Sequence, residues 1–338
     1  MCAKLNSSIV VHRLASDLGL RGPADPVRAI LSYCHRVVKA FLVDYPDCPT
    51  PAKLLDFLAN KLSTRIIEIH TDEDLQATVL EYATRGEHAF ATLQQELCDD
   101  QSYGITLKLQ NRQPWEPGYV SVIDCRGRKS QRRYHTKWHE LGHLLILTDQ
   151  TRLAFYRTHD PTQPKSAEES LVDTIAGEFS FYPRMVKPLA RGEISFEKIE
   201  EIRTDLCPEA SFYSSILNVT KLWPMPCIWV EAKLAHKRGH NNGQHSFGFQ
   251  DTPRPTLRAV YTTPNQAARE LQITMIPNFR VPNQSVIHQV FHDEMPYAEA
   301  EEDLGMWESS DGTQLPSRRV QVKAKRVGDS VHALILPI

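Results

Sequence analysis

The segment HTKWHELGHLL, residues 135–145, constrains this chain more than any other stretch. It holds His139, Glu140 and His143 in the order H-E-x-x-H. Positions i and i+4 of an α-helix share a face, so the two imidazoles converge on one point only if this stretch is helical. Imidazole nitrogens are good zinc donors, and a zinc site takes about four ligands. A fold that uses the pair must therefore bring a further donor to it and leave a position for water. Glu140, beside the first histidine, falls where it can take a proton from that water. Gly142 stands inside the helix although glycine costs a helix ~1 kcal/mol against alanine. It leaves room there for backbone or substrate.

The further donor comes from EESLVDTIAGEF, residues 168–179. Ser166 is suited to cap the helix containing this stretch, with Glu169 three residues on as in a capping box. An antiparallel pairing of this helix with the H-E-x-x-H helix would set Glu169 opposite the histidines. Asp173, one turn further along the same face, could accept a hydrogen bond from the distal nitrogen of a ligand histidine. Glu168 and Glu178 are rival ligands, Glu168 the stronger. The plain alternative for Glu169 is an acidic residue favoured by the helix dipole. A site that used metal only structurally would fill its fourth position with Cys or His and would not need Glu140.

Patterning elsewhere predicts an α+β fold. Residues 25–45 and CPTPAKLLDFLANKLS read as helices, TRIIEIHT as a strand, and residues 72–100 as one long or two shorter helices. GITLKLQ and GYVSVIDC read as strands before the H-E-x-x-H helix. SFEKIEEIRTDL and EASFYSSILNVTKL read as short helices, and PCIWVEAKLA as a strand. Residues 236–256 are rich in Gly, Asn, His and Pro, as in a linker or exposed loop. LRAVYTT, VQVKAKRV and SVHALILPI supply strands of a C-terminal α+β module. The expected organisation is a leader over 1–24, a mostly helical domain with a small sheet over 25–195 that carries the H-E-x-x-H helix, a helical middle segment and linker over 196–249, and the C-terminal module over 250–338.

These motifs resemble the ImmA/IrrE family of metallo-endopeptidases. The likeness spans residues 25–235, and its specific part is 133–190, from the basic segment into HELGHLL and the E-x-x-x-D-x-I-A-x-E-F helix that ends at Tyr182-Pro183. The resemblance implies a zincin-like fold, zinc held by His139, His143 and Glu169, and Glu140 as general base. A His₂Glu set accepts manganese as well. The family resemblance also implies a protein substrate, a helix-turn-helix repressor of mobile-element or DNA-damage-response genes. The sequence departs from the family pattern in RRYHTKWH, which places Trp138 next to the first ligand, and in Asp173, where an Asn is usual. These departures bear on the substrate, not the metal. One branch of the family carries a GAF-like sensor module, and residues 250–338 are similar to one in size and alternation.

Net charge is −2, which gives no general attraction to nucleic acid or anionic membrane. No run approaches the roughly 20 apolar residues of a membrane span. Seven scattered cysteines without C-x-x-C fit a reducing compartment, and the N-terminus lacks an apolar signal core, so a cytoplasmic protein is expected. The basic run from Cys125 to Lys137 reads as a solvated loop or as a docking surface beside the site. Tyr134, His135, Tyr156, His159 and Tyr182 are candidates to stabilise an oxyanion. His288 and His292 repeat the i, i+4 spacing without a glutamate beside the first, which fits an exposed amphipathic helix better than a second metal. Trp223, Trp229 and Trp307 read as core, and AEAEEDLG as a solvated acidic face. The alternative to a metallo-endopeptidase is a regulatory binding protein, in which the zincin fold captures a partner and the C-terminal module senses a ligand.

Overall fold

The computed structural model describes residues 5–98, 102–148, 154–158, 165–236, 254–309 and 311–338, with backbone alone at 155–158. The fold is α+β, and the chain divides into two compact units. The first comprises residues 1–185 with 203–212, the second residues 186–202 with 213–338.

The first unit opens with α1 (Ile9–Asp17), α2 (Pro26–Phe41) and α3 (Pro51–Lys61). Asp25 and Thr50 cap α2 and α3 through their side chains, and a proline fills the first turn of each, where its missing N–H is no loss. The expected loose leader is in part α1, which packs on α2 and fully buries Val11 and Ala15, an i, i+4 apolar pair. Short length and exposed Ile9 and Val10 hide that pair from a sequence reading. β1 (Thr64–Ile69), β2 (Ser102–Lys108), β3 (Tyr119–Asp124) and β4 (Ala154–Thr158) form one sheet in the order β1-β3-β2-β4. β1 runs parallel to β3, and the other pairs are antiparallel. α4 (Asp72–Thr84) starts with a capping box between Thr71 and Asp74.

Strand alternation gives this sheet two different faces. Ile69, Ile105, Leu107, Val120 and Val122 pack on Leu75, Tyr82, Phe90, Leu93 and Leu97 as an apolar core. The opposite face carries Thr64, Gly104, Thr106 and Ser121, with Thr106 directly opposite Ser121 and Thr64 two residues along β1 from Ile66, the β1 partner of Ser121. Against this polar face lies α5 (Arg133–Leu145), the H-E-x-x-H helix, which in turn packs on α6 (Ala167–Ser180).

The second unit is built on β5 (Ile228–Ala235), β6 (Thr256–Pro264), β7 (Tyr297–Asp303), β8 (Arg319–Val327) and β9 (Ser330–Pro337), all antiparallel in the order β6-β5-β9-β8-β7. β5 pairs with both β6 and β9, so this sheet reaches back into the expected middle segment. Ile228, Val230, Val322, Ala333 and Ile335 share a core with Ile287, Val290 and Trp307. The acidic stretch expected to be a solvated face is largely β7, an edge strand that turns Tyr297, Glu299 and Glu301 one way and Ala298, Ala300 and Glu302 the other. Charge on an edge strand opposes pairing with another chain. Trp223, Trp229 and Trp307 are buried as expected. Residues 237–253, most of the Gly/Asn/His-rich loop, lie outside the described residues. No helix among the described residues is long and apolar enough to cross a membrane.

On the other face of this sheet His332 is stacked on Trp229, ring centroids 5.6 Å apart, and its Nδ1 accepts a hydrogen bond from Trp229 Nε1 at 3.2 Å. Burial, opposed by Glu231 and assisted by Lys233, brings its pKa down to about 4 from 6.5. The unfolded chain takes up this proton near pH 6.5 while the folded chain resists until about 4. Stability therefore falls as pH drops through that window and is unaffected by this group above it. The expected loss is about 3 kcal/mol across the window. Urea unfolding of wild type and His332→Gln, followed by tryptophan fluorescence from pH 7.5 to 4, checks this. The variant should lose less stability than wild type, and parallel pH slopes would contradict the assignment.

Candidate metal centre

Nearly every residue of α5 from Tyr134 to Leu145 is buried, His139, Glu140 and His143 included. A helix this polar is stable inside a protein only if its polar groups meet partners there. α6 supplies them. A Cβ at Gly142 would lie 3.0 Å from Val172 Cγ1, so the bare glycine lets the two helices approach closely. The room it leaves is taken by a neighbouring helix. His139, Gly142 and His143 share one face of α5, and Glu169, Val172 and Asp173 share one face of α6, by the same i, i+3, i+4 rule. Contact of Gly142 with Val172 therefore sets the histidines against the two carboxylates.

The geometry follows. His139 Nε2 lies 3.0 Å from Glu169 Oε2, and His143 Nε2 lies 3.2 Å from Glu169 Oε1. One donor atom from each of His139, His143 and Glu169 falls within 4.8 Å of the others. His139 Nδ1 lies 3.0 Å from Asp173 Oδ1, and Lys165 Nζ donates to the other oxygen of that carboxylate. Nδ1–H donating to Asp173 orients the ring, and Nε2, which meets Glu169 here, is the atom that would turn its lone pair to a metal. Burial would raise the Glu169 carboxyl, but hydrogen bonds from His139 and His143 and their positive potential bring it to about 2. The group is thus an anion facing two imidazoles.

The rival carboxylates separate cleanly. Glu178 accepts from His35 Nε2 at 3.0 Å and is not in the donor cluster. Glu168 Oε1 stands 3.7 Å from Nδ1 of His143, the nitrogen turned away from Glu169, much as Asp173 faces His139. Ser166 Oγ accepts from Glu169 N at 3.1 Å and caps α6, as the capping-box spacing predicts. The Glu169 side chain faces the histidines.

Glu140 faces the polar side of the sheet. Its Oε2 accepts from Thr106 Oγ1 at 2.7 Å, and its Oε1 is buried with no hydrogen-bond partner. A Cβ at Gly104 would lie 2.8 Å from Thr136 Cγ2 and 3.0 Å from Glu140 Oε1. Gly104→Ala is therefore expected to destabilise the protein by about 1–3 kcal/mol, because neither a helix nor a central strand yields easily. Thermal denaturation checks this, and an unchanged melting temperature would mean that α5 can move off the sheet.

Of the oxyanion candidates, Tyr134 donates its hydroxyl to Ser180 O at 2.9 Å and is buried, so it serves the fold. Tyr182 is packed on Phe179 and His35. The His135 ring is half-buried, its centroid 6.5 Å from that of His139. His159 and the Tyr156 side chain lie outside the described residues.

The basic run is neither a plain solvated loop nor a free cationic surface. Arg126 and Lys129 pair with buried Asp124 at 2.8 and 2.7 Å. Lys137 bridges Glu68 and Glu209 at 2.5 and 2.8 Å. Asp124 ends β3 just before the run, whereas Glu68 on β1 and Glu209 in residues 203–212 of the same unit lie far from Lys137 along the chain. Glu68, His70 and Cys125 also gather with metal-ligand spacing. Lys137 already neutralises Glu68, and burial followed by the Glu68 charge pushes the Cys125 thiol up to about 12, so this group is poorly suited to a cation. His288 and His292, on a helix over Val286–His292 with Val286, Ile287 and Val290 buried, gather no third donor among the described residues.

No protein-family model matches this chain, and no curated protein matches it. Among solved structures, a Mycobacterium tuberculosis transcriptional regulator aligns with 84% of this chain and 80% of its own length, at 10% identity and a TM-score of 0.32. Similarity at that level supports no conclusion about fold or function.

Proposed function

We propose that this protein is a zinc-dependent endopeptidase with a zincin-like first unit. The observation that carries the reading is the convergence of His139, His143 and Glu169 donors on one point, with the buried carboxylate of Glu140 on the same helix. The donor set of two imidazoles and one carboxylate fits a catalytic zinc site, and manganese is the alternative metal. When bound, the metal would supply Lewis acidity, polarising a substrate carbonyl and acidifying water from a pKa of 15.7 toward ~7.

The remaining chemistry belongs to the chain. Glu169 brings negative charge to the cation, and Asp173 holds the His139 ring by its Nδ1–H. Glu140 keeps Thr106 on Oε2 and has Oε1 available to take a proton from the attacking water and pass it to the leaving amine. On the strength of the resemblance to ImmA/IrrE peptidases, the substrate is a DNA-binding repressor in a mobile-element or stress response. The second unit, with its five-stranded antiparallel sheet, is proposed as a GAF-like sensor module.

The test is digestion of a synthetic mixture of unstructured peptides by the zinc-loaded full chain, read by mass spectrometry. Internal cleavage that disappears on chelation and returns with zinc supports the reading. A metal-loaded chain that cleaves neither these peptides nor purified helix-turn-helix repressors would leave the regulatory binding protein as the better account.

A further inference from the structure

Three hydroxyl side chains lie on the sheet face beneath α5, and all three are buried: Thr106 on β2, Ser121 on β3 and Thr64 on β1. Buried hydroxyls on the covered face of a sheet weaken a core unless each finds a partner. These find one another. Thr106 Oγ1 donates to Glu140 Oε2 at 2.7 Å, Ser121 Oγ lies 2.7 Å from Thr106 Oγ1, and Thr64 Oγ1 lies 3.3 Å from Ser121 Oγ. A hydroxyl has one proton to give. With that of Thr106 directed at the carboxylate, Ser121 must donate to Thr106 and Thr64 to Ser121. Every proton in the row then points toward Glu140.

We infer that Thr106, oriented by Ser121 and Thr64, is a positioning residue that holds the Glu140 carboxylate by Oε2 and so presents Oε1 to the reacting water. This rests on the endopeptidase reading above. Two further observations support it. The Oε1 atom is buried and without a hydrogen-bond partner, so the carboxylate is held from one side only. Gly104, two residues before Thr106 on β2, has no side chain to intrude on that atom. Chains of hydrogen bonds also polarise one another, which strengthens the last donor.

Thr106→Val keeps the shape and removes the donor, while Thr106→Ser keeps the donor and removes a methyl. On the best-cleaved peptide of the mixture above, Thr106→Val is expected to lower kcat about a hundred-fold, with KM within roughly three-fold. Thr106→Ser should restore kcat to within about three-fold of wild type. A second measurement needs no turnover. Melting temperatures of Thr106→Val, Glu140→Ala, which removes the acceptor, and the double variant form a cycle, and a direct tether makes the double effect differ from the sum of the single effects. Wild-type kcat in Thr106→Val, or equal impairment of the Val and Ser variants, would overturn the inference. So would additive melting losses. If wild type cleaves nothing, the endopeptidase reading fails together with the catalytic part of this inference, while a non-additive cycle still upholds the Thr106–Glu140 tether.

Discussion

Glu140→Gln is expected to reduce peptide cleavage by roughly 10³-fold while the protein keeps its metal and its fold. The substitution changes one atom of a side chain that is fully buried, so packing against Gly104 and Thr136 is preserved. The amide oxygen can still accept from Thr106, as Oε2 does now. What it loses is the ability to take a proton at Oε1. Removing a buried negative charge that has one hydrogen-bond donor should leave stability unchanged or raise it by about 1 kcal/mol. The measurement is kcat for wild type and variant at equal zinc occupancy, with melting temperatures alongside. A variant that cleaves as fast as wild type would remove Glu140 from the chemistry. One that also loses its metal would show that the carboxylate supports the site rather than the reaction.

The second large effect concerns the metal. Purified wild type supplied with zinc is expected to carry about one ion per chain, and His143→Ala and Glu169→Ala to carry almost none. Each deletion leaves two protein donors where a stable site needs about three. Asp173→Ala should be milder, a loss of roughly 10–100-fold in affinity, because His139 would keep its Nε2 but lose the carboxylate that orients it. Elemental analysis and competition with a chromophoric chelator give both quantities. If Glu169→Ala held its zinc, Glu168 would be the next donor to remove, since its carboxylate is already 3.7 Å from His143. If wild type bound none, the His139–Glu169–His143 cluster would be a buried ion-pair network, and the endopeptidase reading would fall with it.

The candidate site was readable from sequence to the extent that it is local. His139 with His143, and Glu169 with Asp173, are each pairs on one helix turn, so spacing alone predicts a common face. Their meeting depends on Gly142 against Val172, a contact across the loop between two helices. The residues that complete the site are strangers in sequence: Thr106 reaches Glu140 from 34 positions away, and Glu209 reaches Lys137 from 72. No periodicity marks such pairs, because strand register and helix docking bring them together. The basic run, which looks like an exposed surface as a string of letters, is largely neutralised inside its own unit, by Asp124 close by and by Glu68 and Glu209 from distant segments.

Among secondary elements, those with a strong internal signal were legible: capped helices such as α2, α3 and α6, and β-branched strands such as β1 and β3. β7 was hidden by its acidic composition, which belongs to an edge position that only the assembled sheet defines. β4 is short and was hidden as well, since its strand character comes from pairing with β2. Sequence by itself determined the donor types, their helical spacing and the helix that carries them, because those are properties of a few neighbouring residues. Tertiary structure decided which carboxylate faces the histidines, where Glu140 points and which charges are already paired, because each of these is set by packing between segments far apart in the chain.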